Sequence, residues 1–423
     1  MTDTPLLEAE VLPLIISQLV AYGYSAVAQT VADATGATCD MMPSSRLVDL
    51  LSLGKERDRE ESDDEMMDKD DKQDAPQKSG NTGGDQGDHN AFDPDATNSA
   101  PRTAPNYVQL YYTQHKGPCR TAAFSKDGRL AATGSYDASL KLLDVNKMKK
   151  RTGGASDKPV IRTLYDHTAP VNDLSFHPNG GVLASCADDQ SIKLFDLSKM
   201  GVKRAFRYLQ DTQPVNSIDF HPSGDFLLAG TQDPHVRIYD INTLQCYTNR
   251  QQSDRHQAAI TQIQYSLETG RLFASSSVDG TVKIWDGVSS QCIKTLERVH
   301  GGGMAVSSIR LTRNEKYVLT AGMDSCLRLW DISSGKVVME YKGHEQRSQM
   351  LQPDFSHDEK FIMMGDEAST DVLVWDTQTG TLVKRISGQN NLVRCVASSP
   401  RDEGVLSCSD DYRARYYGGS NET

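Results

Sequence analysis

The sequence predicts an all-β seven-bladed β-propeller with a small all-α N-terminal domain, and two features of the chain carry that prediction. The first is the placement of tryptophan. The 423 residues contain only Trp285, Trp330 and Trp375, which lie 45 residues apart, and each precedes an aspartate. Extending that register gives Leu143-Asp144, Phe195-Asp196 and Tyr239-Asp240 upstream and Tyr417-Gly418 downstream, which makes seven units. The second is the content of each unit: an apolar strand ending in a Pro/Asp/Gly turn, a strand of small residues, a tight turn holding an aspartate, and a third strand. Unit two shows it in His167, PVNDLSFHPNG, VLASCADD and SIKLFD. Period-two alternation with short turns is the pattern of antiparallel sheet, and about 45 residues is the length of a four-stranded propeller blade.

A propeller has to remove its open edge. The seventh unit ends at Tyr417-Gly418 with only GSNET after it, too little for an outer strand, whereas YVQLYYT before His115 is a strand without a blade. It aligns with VVMEY before His344 and CIKTL before His300, so 107–113 is expected to close the last blade. The propeller is placed at 106–423.

Two other regions precede it. Residues 1–55 carry apolar positions at helical spacing: Leu12, Ile15, Ile16, Leu19 and Val20, then Tyr24, Ala26, Val27 and Val31. Two short helices joined near Gly23 fit this spacing. A third begins after Pro43, where Ser44 or Ser45 can cap the run from Leu47 to Leu53. So few residues cannot bury these side chains alone. Self-association completes such a core, with Leu12, Ile15, Ile16, Leu19, Val20 and Tyr24 as the expected dimer interface; a hairpin docked on the rest of the chain is the other solution. Residues 56–105 turn to Asp, Glu, Lys, Gln, Ser, Gly and Asn, a composition that cannot offset the entropy of ordering the backbone, and form an acidic disordered linker.

Charge is distributed unevenly. The formal net charge of -12 divides into -4 over 1–55, -9 over 56–105 and +1 over the remainder, so the propeller has no global basic character that would favour wrapping nucleic acid. No apolar run approaches the 18 or so residues of a membrane span, and the acidic start MTDTPLLEAE is unlike a secretory signal, so no membrane is expected. The cysteines at 39, 119, 186, 246, 292, 326, 395 and 408 stand singly, without metal-site spacing, and read as free thiols.

No GxxxxGK[ST], GxSxG or HExxH is present, and no catalytic residue, cofactor-binding residue or metal ligand is assigned; the chain is expected not to be an enzyme. His177 and His221 sit in FHP turns after first strands. Lys147, Lys149, Lys150 and Arg151 form the most basic stretch, expected as a solvated loop without the interleaved aromatics that single-stranded RNA recognition uses.

The repeat resembles the WD repeat over 106–418. That resemblance places His256, Ser277, Asp279 and Trp285 of unit four in the family's hydrogen-bond tetrad, where Asp accepts from His, His from Ser, and Ser from the indole N–H. On the same reading Ala187 and Phe195 in unit two, Gly322 in unit five and Gln389 in unit seven depart from the pattern. Partners of propellers bind mostly at rim loops, and the family analogy puts the residue before each turn aspartate there: Tyr136, Asp188, Gln232, Val278 and Met323.

The N-terminal stretch VLPLIISQLVAYGYSAVAQTVADATG resembles a LisH dimerisation motif, through Leu14-Ile15, Gly23-Tyr24 and Ala26. Together with RLVDLLSLGKE, VIRTLYDHTAPVNDLSFHP, KRAFRYLQDTQPVNSIDFHPSGDFLLAGTQDP and DGVSSQCIKTL, it resembles the WD-repeat subunit of the cleavage stimulation factor over nearly the whole chain outside the linker. The resemblance implies a nuclear, non-enzymatic homodimer acting in pre-mRNA 3′-end cleavage and polyadenylation. It further implies a propeller that binds the helical-repeat scaffold subunit, with RNA contacted indirectly through the RNA-recognition-motif subunit. Two other classes join LisH to a propeller. A substrate receptor of a ubiquitin ligase would continue into a helical CTLH segment, and a dynein regulator into a coiled coil, but 56–105 has no apolar heptads.

Overall fold

A computed structural model describes residue 29 and residues 101–420, apart from 151–157, 200, 249–250 and 252. Leu12, Ile15, Ile16, Leu19, Val20 and Tyr24 lie outside the described residues, as does the linker up to residue 100. From Asn106 onward the chain builds seven four-stranded antiparallel sheets, the blades of a β-propeller. Blades one to six occupy 119–165, 171–210, 215–248, 260–296, 306–341 and 354–386, each running in sequence order from its innermost to its outermost strand. Blade seven takes three strands from 393–420 and its outer one from Asn106–Gln114. That strand runs antiparallel to Arg413–Ser420, with Asn106 opposite Ser420, Gln114 opposite Arg413, and a bulge between Gln109 and Tyr111.

Second strands are buried on both faces, which is why their sequences are rich in small residues instead of alternating. LAATGS, VLASCA and LFASSS are each fully buried after the first residue. Outer strands such as Lys336–Tyr341 are largely exposed. Between blades, facing sheets bury a shared core. Ala132, Leu140 and Leu142 of blade one meet Val171, Leu174 and Leu183 of blade two, and Cys119, Ala131 and Leu143 of blade one meet Cys395, Leu406, Cys408 and Tyr416 of blade seven. Each fully buried Leu contributes about 2–3 kcal/mol over leaving it in water.

The innermost strands present an unpaired backbone edge, and side chains of the preceding blade satisfy it. Asp173 accepts from the Ile218 N–H at 3.1 Å, Asp219 from Tyr265 at 2.9 Å, Gln262 from Ile309 at 2.9 Å and Gln264 from Leu311 at 2.8 Å. The FHP histidines join blades at the opposite face from the turn aspartates: the His177 ring packs on the next blade's Gly224 and lies 3.1 Å from its carbonyl oxygen. Gly224 has φ +87, and a Cβ there would fall 2.3 Å from the imidazole, so only glycine fits.

The basic stretch is not the loop its composition suggests. Val145–Lys149 forms a short α-helix, α1, whose first turn is capped by Asp144 accepting from the Lys147 N–H at 3.1 Å. Val145 and Met148 anchor it in the core between blades one and seven, and Lys149 pairs with Asp402.

Candidate functional site

Blade four contains a complete buried network, with one member different from the sequence expectation. The Trp285 indole N–H donates to Ser275 Oγ at 2.9 Å, and Ser275 lies 2.7 Å from His256 Nε2. The Nδ1 side of His256 faces Thr281 Oγ1 at 3.0 Å and Asp279 at 3.3 Å. Ser277 is therefore not the tetrad serine. It sits two residues on, where the strand turns, accepting from the Asp279 N–H and donating to the Ala258 carbonyl. Both serines point to the same face, and pairing register separates them: Trp285 lies opposite Phe273, next to Ser275 and a full step from Ser277. Burial works to raise the Asp279 carboxyl, but bonds from His256, Thr281 and the Gln257 N–H hold it well below the usual carboxylate range.

The same shift revises the other blades. In blade two, Ser185 meets His167 at 2.7 Å and Asp189 meets its other nitrogen at 2.8 Å, so Ala187 is no defect and only Phe195 departs. In blade five Thr320 stands between His300 at 3.1 Å and the Trp330 indole at 3.2 Å, with Asp324 at 2.7 Å; Gly322 takes no part. Blade seven rebuilds the network: Gln389 donates to Ser407 at 2.9 Å and to Tyr417, and accepts from buried Arg415, which pairs with Asp411 at 2.6 Å. Arg415 was not singled out from the sequence; its signal is a cation in a strand whose neighbours are all buried.

These networks hold the turns that carry the rim. The backbone N–H groups of Tyr136, Asp188, Gln232, Val278 and Met323 each bond back to the loop entering the same blade, at Pro118, Pro170, Pro214, Ala259 and Ala305, with distances of 2.8–3.2 Å. The five residues thus share one face. Tyr136 is 53% and Val278 41% exposed, Gln232 is exposed, and Asp188 and Met323 are half-buried. Tyr136 lies under the Arg120 guanidinium, 5.1 Å from its ring centre, a cation–π contact. Arg120 also bonds Asn172 at 2.7 Å, and Asn172 bonds Asp188 at 2.7 Å. In the adjoining blade seven Arg394 grips Asp410 with two bonds of 2.6 and 2.8 Å. The rim is thus polar and aromatic at blades one, two and seven. At blades four and five it turns apolar, where Val278 is joined by exposed Met304.

Below this mouth the channel encloses about 540 Å³, lined by Asp173, Asp219, Gln262, Arg310 and Asp354 among others. Burial pushes Asp219 up to about 7 and raises Asp173 and Asp354 as well. All three carboxylates are already held by backbone N–H groups, and the hydroxyls of Ser217 and Ser175 donate to Asp173 at 2.6 Å and to Asp219 at 3.2 Å, which ties these side chains into the joints between blades. Among the described residues no cluster of three His, Cys, Asp or Glu could hold a metal ion, and no helix is long and apolar enough to cross a membrane.

A rigid repeat frame with a built, partly exposed rim defines a propeller scaffold. Residues 107–144, 158–196, 206–240 and 248–286 match the family model described as WD domain, G-beta repeat, and residues 12–59 match the model described as Cleavage stimulation factor subunit 1, dimerisation domain. The chain is 36% identical to Cleavage stimulation factor subunit 50 of Arabidopsis thaliana over 75% of its own length and 74% of that protein. The chain belongs to that family. Lower similarity extends to the nuclear distribution protein nudF of Aspergillus niger, 25% identical over 72% of this chain and 60% of that one, and to the COMPASS component SWD3 of Saccharomyces cerevisiae, 25% identical over 66% and 74%.

A further model, described as Cytochrome D1 heme domain, matches 268–411. The residues there do not fit a haem. His300 has both ring nitrogens engaged, His344 is enclosed against Trp375, and the channel walls, although they also carry Lys126, Arg310, Arg313 and Arg401, would set buried Asp173, Asp219 and Asp354 against the propionates.

Proposed function

We propose that this chain is a nuclear scaffold subunit of a cleavage stimulation factor, acting without catalysis in pre-mRNA 3′-end cleavage and polyadenylation. The observation that carries this reading is the pairing of a dimerisation-domain match over 12–59 with 36% identity over 75% of the chain. Dimerisation through the N-terminus presents two propellers, and the rim at Tyr136, Asp188, Gln232, Val278 and Met323 is the surface for the helical-repeat scaffold subunit. RNA is engaged indirectly, through the RNA-recognition-motif subunit. The test is affinity purification of the tagged chain from nuclear extract with mass spectrometry of stoichiometric partners. Recovery of a helical-repeat protein and an RNA-recognition-motif protein supports the reading; cullin or dynein components in their place overturn it.

Leu19→Asp places a charge in the proposed dimer seam, where a lone buried carboxylate is strongly unfavourable. In sedimentation velocity the full chain is expected to run as a dimer and the Leu19→Asp chain as a monomer.

A further inference from the structure

The seam that closes the propeller contains three cysteines in one core, Cys119 of blade one and Cys395 and Cys408 of blade seven. Two of them face each other across the seam. Cys119 begins the innermost strand of blade one, Cys408 lies on the second strand of blade seven, and their sulfurs are 3.0 Å apart although 289 residues separate them in sequence. Each also points at a backbone carbonyl, Cys119 at Gly134 and Cys408 at Thr121, so both side chains are fixed toward the contact. Both are fully buried. Cys395 lies opposite Cys408 on the neighbouring strand of the same blade, with its sulfur directed to the Val396 carbonyl.

We propose that Cys119 and Cys408 are a modification site, a thiol pair that a peroxide converts to a disulfide which locks blade one covalently to blade seven. Reactivity is divided between them. Burial opposes ionisation of Cys119, but Cys408 and His115 beside it pull its thiol below the usual value, while burial drives Cys408 and Cys395 up. Cys119 is thus the attacking sulfur and Cys408 the resolving one. Cys119 thiolate attacks one peroxide oxygen, the O–O bond breaks, and hydroxide leaves to be protonated, giving a sulfenic acid. Cys408 sulfur then displaces hydroxide from that sulfur, losing its own proton. In total two thiols and one hydrogen peroxide give one disulfide and two waters. Because neither sulfur meets solvent, the oxidant reaches them when the outer closing strand and the seam open, and the lock forms on reclosure. In a reducing compartment the pair stays as thiols and responds only to oxidant.

The test treats the full chain with hydrogen peroxide, with and without sub-denaturing urea to raise seam opening, and maps cross-linked peptides under non-reducing conditions. The expected product is a Cys119–Cys408 peptide pair, absent in Cys119→Ala and in Cys408→Ser, with a melting temperature raised by on the order of 5 °C and restored by dithiothreitol. Cys246, which is exposed, and half-buried Cys292 serve as internal controls for general oxidation. Two results overturn the proposal. One is oxidation of Cys246 and Cys292 with no Cys119–Cys408 link in either condition; the other is a Cys395–Cys408 link in its place.

Discussion

In blade four the His256 ring has a hydroxyl at one nitrogen and a hydroxyl and carboxylate at the other, whereas in blade six His344, at the equivalent place, has no hydrogen-bond partner at either. Both are four-stranded blades, but the neighbours differ. Where blade four has Ser275, the pairing register of blade six puts Met364, and the Trp375 indole turns away to donate to the Lys342 carbonyl at 2.9 Å. His344 is left edge-on to Trp375 with ring centres 5.6 Å apart, a packing contact in place of a polar one. The fold therefore does not need the network in every blade. Burial of an aromatic against the strand edge stands in for it, at the cost of an imidazole stripped of water.

This contrast can be broken at several points. The largest effect is expected from Trp285→Ala, which removes a fully buried ring and the donor to Ser275 and should cost about 3–5 kcal/mol in urea unfolding. The titration of His344 comes next. Burial lowers its folded-state value to about 4 from the 6.5 of an exposed imidazole, so the unfolded chain binds the proton more readily. Stability from this site is present above pH 6.5 and is lost as pH falls toward 4, by roughly 3 kcal/mol in all. His344→Leu should flatten that acid limb, and an unchanged slope would refute the assignment.

Smaller differences separate the two blades and the two serines. Ser275→Ala strips both His256 and Trp285 of a partner and should cost about 2 kcal/mol. Ser277→Ala, which loosens one turn, should cost under about 1 kcal/mol, and His344→Leu at neutral pH should be neutral or gain up to about 1 kcal/mol. If Ser277→Ala were the costlier serine change, the tetrad would have to be redrawn. The smallest stability change, within about 0.5 kcal/mol, is expected for Tyr136→Ala and Val278→Asp at the rim. The same two variants should weaken capture of the helical-repeat partner at least about tenfold, read by quantitative pull-down.

Blade number and order were legible because each unit repeats its own turn and strand grammar, and the Trp-Asp spacing sets a register that local noise does not disturb. The tetrad was legible only in part. His256, Asp279 and Trp285 sit at marked positions, but LFASSS offers three consecutive serines, and two of them share a face. What distinguishes Ser275 is its place beside Trp285 across the ladder, a property of strand pairing that composition does not display. The signal was present elsewhere: in blade five a glycine at the Ser277 position and a threonine two residues before it leave only Thr320 for the role. The helix at Val145–Lys149 was hidden for another reason. Its basic residues dominate the composition, while the two residues that seat it, Val145 and Met148, read as incidental in so short a stretch.

Closure by Asn106–Gln114 also has a mechanical side. The strand enters the ring opposite Ser420, so the chain comes in and goes out at the same end of one antiparallel ladder. Tension applied between the flanking segments would load the Asn106–Ser420 pair first and then its neighbours in turn, peeling the ladder rung by rung instead of shearing all its bonds together. The propeller would yield at low force along that direction.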